Sequence, residues 1–366
     1  MSEQPFYVPI LKGKEGELTA LETLRPEVRP LLMPLIEIPT IPYDFKNNRP
    51  SKSTHDHVIG LPDRLMTCGF SSRMYFHLAW FDGNGQAHEL QEESEIVLRR
   101  CEALGVKVVP VVSRASSEVY LNAAARYSER QSVGICIRLR LNDFDEEVDL
   151  DVETDRLLNQ IGVPDATSVD LIIDLEDIGT ESNRALHVAR SIFTILPRKQ
   201  QNDWRRMVLA AASFPVDLSE VDANENILLP RHEWNLWKAL QRKPNGLPRR
   251  NLIFGDYAIS NPISKELDPT KMRMSANIRY ATEDNWLVMK GRNVRVYGFG
   301  QYFELSEALV KRPEYYGRNF SWGDTFIDDC ALAMKGPGNA TTWRKVGVNH
   351  HITLVARQLA NPNSGS

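Results

Sequence analysis

Two pairs of charged residues alternate along two apolar segments of the sequence. Asp174 and Glu176 are two residues apart in VDLIIDLEDI, and Arg138 and Arg140 have the same spacing in GICIRLRL. Residues two apart in a β-strand point to the same face, so each pair would share one face of a sheet. Buried charges are unfavourable unless they are paired or bound to a ligand. One interpretation is a buried layer of ion pairs. The other is a pocket whose carboxylates act as acid–base groups or hold a divalent cation, and whose arginines bind an anion.

Lys12 and Glu37 form a second candidate site near the N-terminus. Glu37 is a lone carboxylate in the apolar segment LIEIP, where it could serve as a general acid or base. Lys12 ends the preceding apolar segment, so on adjacent strands the two side chains would be neighbours. The alternative is that Glu37 faces a helix and pairs with a lysine or arginine there. Lys14 is a candidate ligand-binding cation, although it begins a loop and could simply be solvated.

Further candidates lie at the end of the segment NLIFGDYAI and in the C-terminal part of the chain. Asp256 is a candidate acid–base residue, and Tyr257 is a candidate ligand-binding residue. Trp343 and Arg344 could stack on and pair with a planar, anionic group. His350 could transfer a proton. The alternative for this C-terminal part is a loop-rich lid held together by its own aromatic and amide contacts.

The sequence offers little that is typical of a metal site or of a nucleotide-binding motif. His55 and His57 have the His-x-His spacing of metal ligands, but they lie in a polar region without the later histidines of an amidohydrolase barrel. A surface loop is therefore the favoured interpretation. A P-loop, a Gly-x-Ser-x-Gly elbow and kinase motifs are absent. The metal ligands stay unassigned, and a divalent cation is the expected cofactor if one is used.

Eight apolar segments of strand length, rich in Val, Ile, Phe and Tyr, occur within the first 260 residues. Their ranges are 6–11, 31–38, 73–81, 106–113, 134–141, 169–178, 206–214 and 251–259. Several are almost continuously apolar, which is typical of parallel strands covered on both faces. Helix-like stretches separate most of them, at 15–25, 89–104, 180–196 and 231–241. Gly105 directly follows the second stretch and is expected to end that helix.

Eight strands that alternate with helices predict a mixed α/β protein with a (β/α)8 TIM-like barrel. A doubly wound open sheet is the alternative, but the turn after the first segment, LKGKEGEL, lacks the pattern G-x-G-x-x-G. In a barrel, the loops at the C-terminal ends of the strands form the active-site face. The charged residues named above would therefore meet at that end.

The pattern of apolar and polar residues in the sequence changes after residue 270. NIRYAT, NWLVMKG and NVRVYGFG resemble short strands separated by polar turns, and residues 304–312 resemble a short helix. We expect the barrel to occupy residues 1–265 and a small antiparallel β and loop extension, packed on the barrel, to occupy 266–360. Residues 361–366, NPNSGS, are expected to form a disordered tail.

Composition excludes several classes of protein. A formal net charge of −4 argues against a polybasic nucleic-acid coat protein, although it leaves room for a local basic cleft. No apolar run is long enough for a membrane span, and no signal peptide is evident. The four cysteines, Cys68, Cys101, Cys136 and Cys330, are scattered without a C-x-x-C motif. Reduced thiols in a cytoplasmic protein are therefore expected.

The two ends of the chain resemble a known family. The N-terminal pattern combines Tyr7, Pro9, Leu11, Lys12, Lys14 and Glu17 with Pro34, Leu35 and Glu37. The C-terminal pattern combines Gly323-Asp324, Gly338-Asn339, Trp343-Arg344 and Asn349-His350-His351. Both are similar to the "beta protein" family, named from a bacteriophage protein. The resemblance implies a phage- or mobile-element-associated context, such as anti-phage defence or a toxin–antitoxin-like pair, and it supplies no catalytic residues.

The leading functional hypothesis is a hydrolase that acts on a nucleotide or another phosphorylated ligand. Lys12, Arg138, Arg140 and Arg344 would bind the anion, and Glu37, Asp174, Glu176 and Asp256 would supply acid–base chemistry or hold a cation. The first alternative is a non-catalytic binding subunit of a defence system, with a partner protein encoded in the same operon. The second alternative is a glycoside hydrolase that uses two facing carboxylates.

Overall fold

The structure of the chain is a computed structural model. It describes residues 7–69, 73–81, 87–90, 92–144, 149–163, 166–195, 204–241, 252–263 and 274–361. The expected domain boundary at 265/266 and residues 362–366 of the expected tail lie outside these ranges.

The strands of the described residues are numbered in chain order. They are β1 (Tyr7–Leu11), β2 (Leu35–Glu37), β3 (Tyr43–Asp44), β4 (Arg49–Pro50), β5 (Met74–His77), β6 (Ala79–Phe81), β7 (Ala87–Glu89), β8 (Val108–Val112), β9 (Ile135–Arg140), β10 (Val169–Asp177), β11 (Arg206–Ala212), β12 (Asn226–Pro230), β13 (Ile253–Asp256), β14 (Ser275–Ala281) and β15 (Asn285–Asn293).

Eight of these strands close into a parallel barrel. The order around the barrel is β1, β2, β5, β8, β9, β10, β11 and β13, and β13 pairs again with β1. Each predicted apolar segment contributes one barrel strand, so the predicted (β/α)8 architecture is confirmed. A doubly wound sheet would have two open edges, and this closed barrel has none.

The α-helices of the described residues are also numbered in chain order. They are α1 (Glu15–Glu22), α2 (Thr54–Val58), α3 (Leu61–Thr67), α4 (Glu92–Ala103), α5 (Glu118–Gln131), α6 (Leu150–Gln160), α7 (Ser182–Ile195), α8 (His232–Gln241), α9 (Val294–Tyr297), α10 (Gln301–Val310), α11 (Trp322–Ala331) and α12 (Ala340–Ala360). None of them combines the length and the apolar character that a membrane span needs.

Local sequence explains where the barrel helices begin and end. Ser117 caps α5, because its side chain accepts a hydrogen bond from the backbone N–H of Tyr120. Gly105 ends α4 as predicted: its φ is +70°, a conformation that glycine adopts without strain. The next N–H, of Val106, then reaches back to the carbonyl of Cys101 at 2.9 Å, which closes the helix end.

The C-terminal part is a mixed sheet-and-helix layer on the barrel. A three-stranded antiparallel sheet has the order β12, β15, β14, and helices α9 to α12 follow it. Strand β12 comes from the connection between barrel strands β11 and β13, so the barrel segment of the chain supplies one edge of this sheet. The strand predicted in NVRVYGFG is wrong, because Val294–Tyr297 form helix α9. Helices α11 and α12 were not predicted, although the side chains of Ser321 and Asn339 cap them by accepting hydrogen bonds from the backbone N–H groups of Asp324 and Thr342.

Helix α12 joins the two parts of the molecule. Val348 and Ile352 belong to the apolar core shared with the barrel, whereas Trp343 and Val346 belong to the apolar core of the extension. The side chain of Asn349 donates to the carbonyl oxygen of Ala20 in α1 at 3.1 Å. Because α12 is covered on opposite sides, its apolar residues do not form a single stripe, and its helical period is hard to recognise in the sequence.

Candidate functional site

The interior of the barrel contains a buried polar network centred on Arg138. Its guanidinium donates to Glu37 at 2.8 Å and contacts the Nδ1 atom of His77 at 3.1 Å. It also donates twice to one oxygen of Asp174, at 3.0 and 2.6 Å, and once to the hydroxyl of Tyr257 at 2.7 Å. Tyr257 in turn donates to Asp174 at 2.6 Å. All five residues are at most 3% exposed.

The electrostatics of this network favour the charged form of Arg138. Burial opposes the charge of Arg138, but Tyr257, Asp174 and Glu37 outweigh it and hold the pKa of Arg138 well above its ordinary value. Burial raises the pKa of the Tyr257 phenol, so Tyr257 remains a hydrogen-bond donor. Arg138, Glu37 and Asp174 therefore form the buried ion-pair layer that was the first of the two interpretations of their spacing.

A second ion pair lies one step closer to the solvent at the barrel mouth. Arg140 pairs with Glu176, and their side chains are 19% and 21% exposed. The backbone of Glu176 is left-handed, with φ of +56°, where β10 changes register against β11. Non-glycine residues held in this conformation are strained and cluster at functional sites. Burial, reinforced by the charge of Asp174, raises the pKa of Glu176 despite Arg140.

Lys12 directly follows β1 at the same mouth, but it does not pair with Glu37. Its Nζ donates to the main-chain carbonyls of Asn261 and Pro262, at 2.9 and 3.0 Å. No carboxylate of the described residues lies within ion-pair distance of this amine. Burial, with the nearby charges of Lys14 and Arg344, lowers the pKa of Lys12 to about 8, although the charges of Glu37 and Glu17 oppose the shift. Glu37 is instead engaged by Arg138, as the network above shows.

Two further cations contact the part of the loop after β13 that the structure describes, residues 257–263, which also contains Asn261 and Pro262. Arg344 donates to the hydroxyl of Ser260 at 3.3 Å, and Arg279 donates to the carbonyl of Ile259 at 2.8 Å. Burial, with the charge of Arg344, lowers the pKa of Arg279 to about 10. We call Lys12, Arg279 and Arg344 the cationic rim. Arg279 was not singled out in the sequence, because an arginine in a short strand has no distinguishing pattern.

The loop also connects the rim to the carboxylates at the end of β10. The side chain of Asn261 donates to Asp177 at 2.8 Å and to the carbonyl of Phe214 at 2.8 Å. Its own carbonyl accepts from Lys12, and Asp177 directly follows Glu176 in the chain. Polar side chains therefore line the barrel mouth without interruption from Arg140 on β9 to Lys12 after β1.

Asp256 lies outside this group, on the side of β13 that faces α12. It accepts hydrogen bonds from the Tyr7 hydroxyl at 2.5 Å, from His351 at 2.7 Å and from the N–H of Ala258 at 2.9 Å. These contacts hold the pKa of Asp256 below its ordinary value despite its burial. Asp256 therefore links the barrel to α12 through His351, and it does not belong to the network that contains Glu37 and Asp174.

His350 and Trp343 are structural residues of the extension. The two ring nitrogens of His350 face Asp324 at 2.9 Å and the carbonyl of Ala281 at 2.8 Å. Its ring stacks on Tyr280 with centroids 3.8 Å apart. The Trp343 indole donates to the carbonyl of Pro337 at 2.8 Å. Of the C-terminal candidates, only Arg344 reaches the loop after β13.

The described residues contain no group of three or more His, Cys, Asp or Glu side chains placed to hold a metal ion. His55 and His57 lie on the short helix α2, and a ring nitrogen of His57 contacts the carbonyl of Pro39 at 2.6 Å. The four cysteines are free thiols, all buried.

Comparison with solved structures finds 26 matching chains. Diaminopimelate decarboxylase from Helicobacter pylori, complexed with L-lysine, matches with 10% identity and a TM-score of 0.37, over 70% of this chain and 57% of that chain. Type I 3-dehydroquinate dehydratase from Clostridium difficile, with covalently modified comenic acid, matches with 9% identity and a TM-score of 0.38, over 72% of this chain and 88% of that chain. At these TM-scores neither likeness supports an activity.

A search of the curated proteins finds no match. The family model described as Beta protein, by contrast, matches residues 7–357, which is nearly the whole chain. Both the N-terminal pattern around Lys12 and the C-terminal pattern that ends at His351 lie within the matched region. The chain therefore belongs to the Beta protein family.

Proposed function

We propose that this chain binds a phosphorylated ligand, either a nucleotide or a phosphorylated small molecule, at the barrel mouth beside the loop after β13. The observation that carries the proposal is the cationic rim. Lys12 and Arg279 donate to neutral main-chain carbonyls, and Arg344 lies 3.5 Å from a carboxylate oxygen of Glu17. Three cations thus surround one loop, and among the described residues only Arg344 of the three lies within ion-pair distance of a carboxylate.

The rim residues also oppose one another electrostatically. The charge of Arg344 contributes to the lowered pKa of both Lys12 and Arg279, so these two cations are less favourable because Arg344 is present. A bound dianion would relieve this repulsion and would accept charge-assisted hydrogen bonds. The location supports the same conclusion, because the loops after the last two strands of such barrels frequently bind phosphate.

Glu176 is the acid–base group that this proposal assigns. It lies at the mouth, its pKa is raised by burial, and its backbone is strained. A carboxyl group whose pKa is raised by burial retains its proton more readily than an exposed carboxyl group, which suits a general acid in the hydrolysis of a phosphate ester. In this proposal Arg138, Glu37 and Asp174 support the floor of the site and are not themselves ligand-binding residues.

The test is binding and turnover with the full chain. Calorimetric titration and thermal unfolding with inorganic phosphate and a panel of nucleotides should show binding that Lys12→Met and Arg344→Met weaken at least about tenfold. Arg100→Met is the matched control, because Arg100 forms an exposed ion pair with Asp63 on the outer helices. Glu176→Gln should retain binding and lose turnover. Equal binding by the two rim variants and the control would overturn the proposal.

A second candidate is a non-catalytic binding subunit of an anti-phage or toxin–antitoxin-like system. The closed Arg138 network favours it, because neither Glu37 nor Asp174 is open to a substrate. The same contacts disfavour a glycosidase, which would need Glu37 and Glu176 to face one sugar, whereas an arginine engages each of them. Ligand binding without turnover, together with co-purification of an operon-encoded protein, would favour the binding subunit.

A further inference from the structure

Lys12 has the surroundings of a reactive amine. It is partly buried at the end of β1, and its Nζ is oriented by two main-chain carbonyls at 2.9 and 3.0 Å. Carboxylate pairing, which keeps a lysine protonated, is absent at Lys12 within the described part of the chain. Lys311 and Lys335, by contrast, lie within 2.6 and 2.9 Å of a carboxylate oxygen.

We propose that Lys12 forms an imine with an aldehyde or ketone group of the ligand, which makes the ligand a phosphorylated carbonyl compound. This inference rests on the proposed phosphate site. Arg344 and Arg279 would hold the phosphate on the loop after β13, and that loop also supplies the carbonyls that orient Lys12. The phosphate would therefore bring the carbonyl carbon of the same ligand to the Lys12 amine.

Imine formation needs no reactant other than the Lys12 amine and the carbonyl compound. The unprotonated Nζ attacks the carbonyl carbon, and a C–N bond forms while the carbonyl oxygen takes up a proton. The carbinolamine then loses its oxygen as water, which carries away both of the original N–H protons, and a C=N double bond remains. The attacking amine must be neutral. The lowered pKa of Lys12, about 8, supplies a much larger neutral fraction at pH 7.5 than an ordinary lysine does.

The experiment traps the imine on the full chain. Pyridoxal 5′-phosphate serves as the probe, because it carries an aldehyde and a phosphate, and pyridoxal is the probe without the phosphate. Borohydride reduces any imine to a stable secondary amine, and peptide mass mapping locates it. We expect about tenfold more label at Lys12 than at the exposed Lys107, with loss of the Lys12 label when inorganic phosphate competes or when pyridoxal replaces the probe.

Two variants complete the test. Lys12→Arg retains a cation and should lose the label, whereas Lys107→Arg, altered at the opposite end of the barrel, should keep it. Phosphate binding without preferential labelling of Lys12 would overturn the imine and leave the phosphate site standing. Equal labelling of Lys12 by pyridoxal, without protection by phosphate, would overturn the phosphate site and with it this inference. Peptide mapping of the unaltered chain tests both the imine at Lys12 and the phosphate site, even if a variant fails to fold.

Discussion

Arg138 donates from Nε and Nη2 to a single carboxylate oxygen of Asp174, at 3.0 and 2.6 Å. The two residues lie on the adjacent strands β9 and β10, yet they are not opposite each other. Asp174 is opposite Arg140, and Arg138 is opposite Ile172. Arg138 therefore reaches along the barrel axis toward the mouth, which places its charge between the carboxylates of Asp174 and Glu37.

Removing this arginine should be costly to stability. In Arg138→Met, Glu37 and Asp174 would remain buried without their cation, and we expect the free energy of unfolding to fall by about 3–5 kcal/mol. Arg140→Met is the matched control on the same strand, because its pair with Glu176 is partly exposed and should contribute less than about 1 kcal/mol. Urea unfolding of both variants provides the measurement. Similar losses in the two variants would contradict the larger contribution expected of the buried network.

Anion binding at the rim should depend on pH through Lys12. Its pKa of about 8 means that the amine is charged below that pH and neutral above it. Affinity for sulfate should therefore be constant below pH 7 and fall as the pH rises through 8, by at most about tenfold per pH unit. Sulfate is chosen because its own charge does not change in this range. In Lys12→Arg the cation persists, so calorimetry from pH 6.5 to 9.5 should show no such fall.

His351 should make the fold sensitive to mild acid. Burial lowers the pKa of its imidazole below the ordinary 6.5, so the unfolded chain takes up a proton that the folded chain does not. The free energy of unfolding should therefore decrease as the pH falls below about 6.5, by at most about 1.4 kcal/mol per pH unit from this group. His351→Gln, which cannot titrate, should show a shallower slope between pH 7 and 5. An identical slope in the two proteins would contradict this role.

The packing of α11 against α12 should depend on Gly323. A Cβ atom added there would lie 2.5 Å from the carbonyl oxygen of Val346, which belongs to the helix backbone and cannot rotate away. Gly323→Ala should therefore lower the free energy of unfolding by about 1–3 kcal/mol. Gly300→Ala is the control, since a Cβ atom there meets nothing within 4 Å. Thermal unfolding should leave that variant within about 0.5 kcal/mol of the parent.

Local patterns accounted for most of the fold. Apolar segments of strand length, separated by helix-like stretches, were enough to predict a closed barrel, because parallel strands buried on both faces have a distinctive composition. Gly105 ended its helix where the sequence indicated. The helices after residue 320 were missed, because α12 is covered on opposite sides and its apolar residues follow no single stripe. Their caps, Ser321 and Asn339, were the signal that was present.

The candidate site was predicted less completely, and the reason is geometric. The spacing of Asp174 and Glu176, and of Arg138 and Arg140, indicated correctly that charges would meet on adjacent strands. It could not show that Arg138 closes its ion pairs inside the barrel while Arg140 stays near the solvent, because burial depends on how far each strand extends beyond its neighbours.

The sequence by itself determined the barrel and, with it, the end of the barrel at which the polar residues that end its strands lie. Only the tertiary structure decided which charges neutralise one another. The side chain of Asp256 points outward and contacts His351. Arg279 and Arg344 lie in the extension and contact the loop beside Lys12. Alternation along a strand shows which residues share a face, but not which face is inward. The inward face and the contacts between distant segments depend on packing, so neither can be read from the spacing of charged residues alone.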